Sequence, residues 1–158
     1  MLNSFVEWGA HRFVLHSKRF VRFAYELHHV NHHGLFRADE TFTAEPQDAR
    51  REHVRFVWKD YFLFLLVTTP VWITAELLAQ QPFLVGGVAA TLLGLQAFNS
   101  LHWRFHCPSD TFFQRTRFFR YLKEHHRRHH EDTSKNLNVY FFPLADWVLG
   151  TLYKNPGK

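Results

Sequence analysis

The chain has a single cysteine, Cys107, which excludes an intrachain disulfide and a cysteine-based zinc finger. Charged residues make up 21% and hydrophobic residues 46%, a balance that excludes a disordered acidic or basic tail. No low-complexity segment is present, and nothing repeats beyond the histidine motifs described below. Residues 1–10 contain Glu7 and no uninterrupted apolar core, so no cleavable signal peptide is expected there. With 158 residues there is room for one domain, 1–158, and none for a second. The most consequential scarcity is of charge in mid-chain: between Tyr61 and Leu101 the only charged residue is Glu76.

A mean hydropathy of −0.28 conceals this stretch. Gln80, Gln81 and Pro82 divide it into two halves, each reaching about 30 Å if helical, the thickness of the hydrocarbon layer. The pattern predicts a helical hairpin over 61–101 that crosses a bilayer and returns. Pro70 is expected to kink the first arm, and Gly86, Gly87 and Gly94 to let the second pack closely. Glu76, one turn from the far end, is expected to snorkel to the distal interface. A buried hairpin of a soluble protein has the same composition, but charge placement weighs against it. Nine Lys/Arg precede residue 61, ten follow residue 101, and the connection near Gln81 has none. Both flanks, with both termini, are therefore expected on the cytoplasmic side of an integral membrane protein. The net charge of +5 flanks apolar spans, where anionic lipid is a simpler partner than nucleic acid, and no nucleic-acid partner is expected.

Outside the hairpin the chain reads as helical. An amphipathic helix is expected over residues 2–23, a second over about Glu26 to Gly34, and a loop over 35–49. A further helix, capped by Ser109 or Asp110, should run to about Glu131. Residues 136–142 read as irregular, with a last short helix opened by Pro143 and ended at Gly150. The pairs Phe112-Phe113, Phe118-Phe119 and Phe141-Phe142 suit either the headgroup layer or an ordinary core.

What the chain has in excess is histidine, 13 residues, none of them between Tyr61 and Leu101. His11 and His16 are spaced HxxxxH. His29, His32 and His33 are spaced HxxHH and preceded by His28. His102 and His106 are spaced HxxxH at the end of the second arm. His126, His129 and His130 repeat HxxHH and follow His125. Because the hairpin returns to its starting side, all four groups can converge. On an α-helix, residues i and i+4 are about 40° apart, so His102 and His106 can clamp one ion. The adjacent pairs His32/His33 and His129/His130 are about 100° apart, and His11/His16 about 140°, which suits two ions better than one. Ten ligands over two ions leave a position open on an octahedral metal. A lone histidine such as His53 reads as a surface or satisfied residue. A metal-scavenging tract does not account for two copies of HxxHH interleaved with two further pairs.

The run Glu7-Trp8-Gly9-Ala10-His11-Arg12-Phe13-Val14-Leu15-His16 resembles the first motif of the fatty acid hydroxylase/sterol desaturase superfamily of membrane enzymes. The third and fourth groups, with Tyr121-Leu122-Lys123 ahead of His125, look most like its fatty acid 2-hydroxylase branch. Asn136-Leu137-Asn138-Val139 and the run Pro143 to Thr151 resemble its carboxy-terminal signature. The resemblance implies an all-α fold, a membrane hairpin with a cytosolic helical cap holding a dimetal site. It places metal ligands on His11, His16, His29, His32, His33, His102, His106, His126, His129 and His130, and leaves His28 and His125 outside the ligand pattern. Members usually carry another pair of spans ahead of the first motif. Met1 to Ala10 is too short for one span, so the expectation is a minimal version, a start further upstream, or helices supplied by a partner.

Neutral imidazoles cancel no metal charge, so nearby carboxylates matter. Glu7, Glu124 and Asp146 could each receive an N–H from a ligand histidine and hold its orientation, or be solvated charges; His28 and His125 are candidates for the same supporting layer. Histidine accepts iron, zinc, copper or nickel. The resemblance implies two iron ions, with zinc able to occupy the site on isolation, and dioxygen as co-substrate. It further implies hydroxylation or desaturation of a C–H bond in a membrane lipid, with electrons from an external electron-transfer protein. No separate acid or base is assigned. The alternative from the same residues is a non-catalytic membrane metal-binding protein.

Overall fold

The computed structural model describes residues 2–107, 109–139 and 142–154, and among these there is helix but no strand. The elements in order are α1 (Leu2–Ala10), α2 (Arg22–Tyr25), α3 (His33–Leu35), α4 (Trp58–Ala79), α5 (Phe83–His106), α6 (Arg117–Glu131) and α7 (Leu144–Val148), with short π-helical and 3-10 segments between them. They divide into two compact units, one of residues 55–100 and one of residues 1–54 and 101–158.

The first unit is the hairpin. α4 and α5 are both long and apolar enough to cross a membrane. No side chain of α4 is buried, and Leu78 and Val85 are 82% and 81% exposed. An outward-facing apolar surface of this kind is the reverse of a soluble core helix. Val57 N–H donates to Asp60 Oδ2 (2.7 Å) at the start of α4, and Gln80 ends it in the left-handed conformation (φ 51°). Where the arms meet, Trp72 lies against Gly87. A Cβ on Gly87 would come within 2.2 Å of the indole, so only glycine admits this approach. Gly86, by contrast, faces open space. Trp72 Nε1 donates to Thr91 Oγ1, and Tyr61 joins Gln96 and Asn99. Glu76, near the far end of α4, also serves the second arm. Its Oε2 accepts Leu84 N–H at 2.8 Å and so satisfies one of the orphan donors at the start of α5.

The other unit holds every histidine. α1 does not continue to residue 23. It passes into a π-helical turn over His11–Leu15 and stops at His16, and a new helix starts at Arg22. The helix from Arg22 is itself π-helical over Glu26–His32 and continues one residue past Gly34, to Leu35. Residues 36–54 carry two 3-10 turns, Glu40–Phe42 and Ala49–His53, each capped by an aspartate side chain, Asp39 and Asp48. α6 is capped by Thr116, whose hydroxyl accepts Phe119 N–H, rather than by Ser109 or Asp110, because Phe113–Arg115 is a separate turn. α7 ends at Val148, ahead of Gly150 (φ 69°). The aromatic pairs split between surface and interior. Phe119 is buried beside Phe105 while Phe118 is exposed, and Phe112 is 86% exposed. Phe142 is exposed, and Phe141 lies outside the described residues. Phe36, Ala44, Val54 and Cys107 form a small apolar core beside the histidines.

Candidate metal centre

Ten imidazoles converge in the second unit as two groups of five. His11, His16, His28, His33 and His129 form one, and His32, His102, His106, His126 and His130 the other; within each group the candidate ligand atoms lie within 4.8 Å of one another. Nine of these coincide with the ligands that the resemblance implies. The two adjacent pairs divide as their angular separation requires: His33 and His129 in the first group, His32 and His130 in the second. His102 and His106, one turn apart on α5, share a group.

Two placements differ from the expectation, for one physical reason. His28 takes the place of His29 in the first group, and His11 and His16 lie together in it rather than facing two ions. Both pairs are spaced i, i+5, about 140° apart on an α-helix. Each is closed instead by a π-type bond: His16 N–H donates to His11 O (2.9 Å), and His33 N–H donates to His28 O. The wider turn brings the two imidazoles of each pair to one face, with ring centroids 5.0 Å apart for His11/His16 and 4.9 Å for His28/His33. The shared HxxxxH spacing of His11/His16 and His28/His33 was the signal that could have revealed this. His29 stands just outside, its Nδ1 2.7 Å from His16 Nδ1 and its ring stacked on Tyr25. His125 joins neither group, and His53 is exposed.

The ring nitrogens are oriented by main-chain oxygens. His11 Nδ1 donates to Leu137 O (2.6 Å), His129 Nδ1 to Lys135 O (2.7 Å), His106 Nδ1 to Phe42 O (2.7 Å), His130 Nδ1 to Phe36 O (2.6 Å) and His102 Nδ1 to Val54 O (3.2 Å). A carbonyl only accepts, so each of these rings carries its proton on Nδ1 and turns an Nε2 lone pair inward when neutral. Those Nε2 atoms then face other Nε2 atoms: His11 and His28 at 3.0 Å, His16 and His129 at 3.0 Å, His102 and His32 at 3.1 Å, and His126 at 3.1 Å from both His106 and His130. Nitrogens about 2.1 Å from one metal and at right angles or tetrahedral angles are about 3.0–3.4 Å apart. The observed separations fit that geometry. The Nδ1 atoms of His32, His33 and His126 are buried without a hydrogen-bond partner among the described residues.

Electrostatics favour the neutral, ligating form. Burial pushes His11 down to about 3, against the opposing pull of the Leu137 carbonyl. Burial, reinforced by neighbouring imidazoles, likewise holds His28, His32, His33, His126, His129 and His130 well below the ordinary histidine range. His16 moves in the same direction, through burial and then the charges of His11 and His129. Each group could therefore hold a metal ion with nitrogen donors alone.

The three carboxylates bind guanidinium, amide and hydroxyl groups. Glu124 pairs with Arg127 and Arg128. Glu7 accepts Val139 N–H (2.7 Å) and Asn138 Nδ2 (3.3 Å). Asp146, fully buried, accepts the N–H groups of Leu137 and Asn138 and the Thr151 hydroxyl, and lies 3.5 Å from His125 Nε2. Sequence reasoning did not anticipate the five carbonyl acceptors, because any residue type supplies a carbonyl.

No curated protein and no solved structure matches the chain. The sequence profile of the fatty acid hydroxylase family matches residues 1–151, nearly the full length and all four histidine groups, and the chain belongs to that family.

Proposed function

We propose that the protein is an integral membrane, non-haem diiron oxidoreductase that uses dioxygen to hydroxylate or desaturate a C–H bond of a lipid, in the manner of the 2-hydroxylase branch of its superfamily. The observation that carries this reading is the pair of five-imidazole groups, with inward lone pairs 3.0–3.1 Å apart, in a chain of this family bearing two apolar helices. Bound iron would supply dioxygen activation, which zinc, having no redox chemistry, does not. The residues that would hold one ion are His11, His16, His28, His33 and His129, and those for the other are His32, His102, His106, His126 and His130.

The chain's own part is positioning and exclusion of water. Five nitrogens on each ion leave one octahedral position for exchangeable ligands. His11, His32, His102, His106, His126 and His129 are at most 2% exposed, so solvent does not compete for the metal positions from their side. No histidine in either group needs to lose a proton before binding at neutral pH. The histidine-bearing unit acts as a cytosolic cap, both termini lie on the cytoplasmic side, and electrons come from an external electron-transfer protein.

Whole-cell lipid mass spectrometry tests the reading. Expression of the wild type with an electron-donor system should produce hydroxylated or desaturated lipids, and these should vanish with His129→Ala. Identical profiles from the two, with metal bound to the wild type, would defeat the enzyme reading and leave a non-catalytic metal-binding protein.

A further inference from the structure

The two histidine groups are held by different stretches of main chain. In the first, the acceptors for His11 and His129 are Leu137 O and Lys135 O, two residues apart on an irregular segment bent at Asn136 (φ 52°). That segment hangs on Asp146, which is fully buried. Its Oδ1 accepts Leu137 N–H (2.9 Å) and Thr151 Oγ1 (2.6 Å), and its Oδ2 accepts Asn138 N–H (2.8 Å). Thr151 in turn accepts Trp8 Nε1 (2.9 Å), tying the clamp to α1 just before His11.

In the second group, the acceptors for His130, His106 and His102 are Phe36 O, Phe42 O and Val54 O, all within residues 36–54. Arg50 laces this segment together. Its guanidinium donates to Leu35 O (3.1 Å), Thr41 O (3.0 Å) and Thr43 O (3.3 Å), carbonyls that flank Phe36 and Phe42, while Asp48 fixes its other edge. The planar, five-donor guanidinium suits this task as no other side chain does.

We infer that the two metal positions are built and lost independently, with Asp146 as the positioning residue of the first and Arg50 as that of the second. This rests on the dinuclear reading above. A buried carboxylate is tolerable only when its oxygens are satisfied, and here the donors that satisfy it are the amides that set the Leu137 carbonyl. Asp146→Asn presents an NH2 to Leu137 or Asn138 N–H, so one amide loses its partner and the carbonyl that orients His11 shifts. Arg50→Gln releases Thr41 O, Thr43 O and Leu35 O together. Removing a group that orients a metal ligand costs on the order of 10–100-fold in affinity.

The test is ferrous ion bound per full-length chain in detergent micelles, at chelator-buffered iron just sufficient to saturate the wild type. The wild type should bind about two ions, and Asp146→Asn and Arg50→Gln about one each. Double variants identify which ion is lost. Asp146→Asn with His16→Ala, both on the first group, should still bind one, whereas Asp146→Asn with His32→Ala should bind none. Arg50→Gln should show the opposite pattern. Thr151→Val, which removes one donor to Asp146 and the acceptor of Trp8 Nε1 but leaves both amide donors of the clamp, should weaken a single ion in the same titration and serves if Asp146→Asn does not fold. If either single variant loses both ions or neither, or the double variants show no such pattern, independence is refuted. A wild type that binds one ion or none defeats the dinuclear reading, whereas two ions that always vary together defeat the partition alone.

Discussion

Exchanging His28 and His29 for alanine, one at a time, separates the structural ligand set from the one the family motif implies. His28 Nε2 lies 3.0 Å from His11 Nε2 and 3.3 Å from His33 Nε2, inside the first group. His29 lies outside it and touches His16 through Nδ1 at 2.7 Å. His28→Ala therefore removes a donor, leaving four imidazoles and a cavity beside two inward lone pairs. His29→Ala removes only an orienting contact, worth on the order of 10–100-fold in metal affinity, or about 1.4–2.7 kcal/mol. Competition against a graded series of chelators reads both. His28→Ala should release one ion to chelators that leave His29→Ala loaded, and His29→Ala should shift the affinity of that ion within the stated range. If His29→Ala loses an ion outright while His28→Ala keeps two, the π-helical registration of residues 26–33 is wrong, and the motif-based assignment stands.

Three further outcomes follow from the geometry. In the metal-free protein burial lowers the imidazole pKa values below the unfolded value of about 6.5, so the unfolded chain binds more protons in acid; their stabilisation is fully present above that pH and is lost as pH falls below it. Metal-stripped protein should therefore melt at a markedly lower temperature at pH 5.5 than at pH 7.5, and equal melting temperatures would contradict this. Gly87→Leu drives a side chain into Trp72 and should cost about 1–3 kcal/mol of hairpin stability, measured by unfolding in mixed micelles, whereas Gly86→Leu, facing open space, should be neutral. Glu76→Ala leaves Leu84 N–H without its acceptor at 2.8 Å and should destabilise the hairpin by about 1 kcal/mol in the same assay, with Glu76→Gln largely retained.

What could be read from the sequence was what depends on side-chain type. An interval with one charge, divided by Gln80, Gln81 and Pro82, defines both arms of the hairpin. Adjacent histidines at 32/33 and 129/130 divide between two groups because 100° on a helix cannot be undone locally. The readings that differ from the structure depend on the backbone. An inserted π turn brings i and i+5 together and exchanges His29 for His28 without any change in composition. The break between residues 16 and 22 is likewise invisible to apolar periodicity, since Phe13, Leu15 and Phe20 keep an amphipathic pattern across it. Glu7, Glu124 and Asp146 are legible as carboxylates near the motifs, but the ring N–H groups of His11 and His129 go to carbonyls, and a carbonyl's availability is a property of the fold.

X-ray absorption at the iron edge of the purified, iron-loaded protein tests the central claim most directly. Two all-histidine positions predict about five nitrogen scatterers per iron near about 2.1 Å, with strong outer-shell scattering from imidazole rings and no sulfur. A shell dominated by carboxylate or water oxygen, without the imidazole signature, would contradict the account.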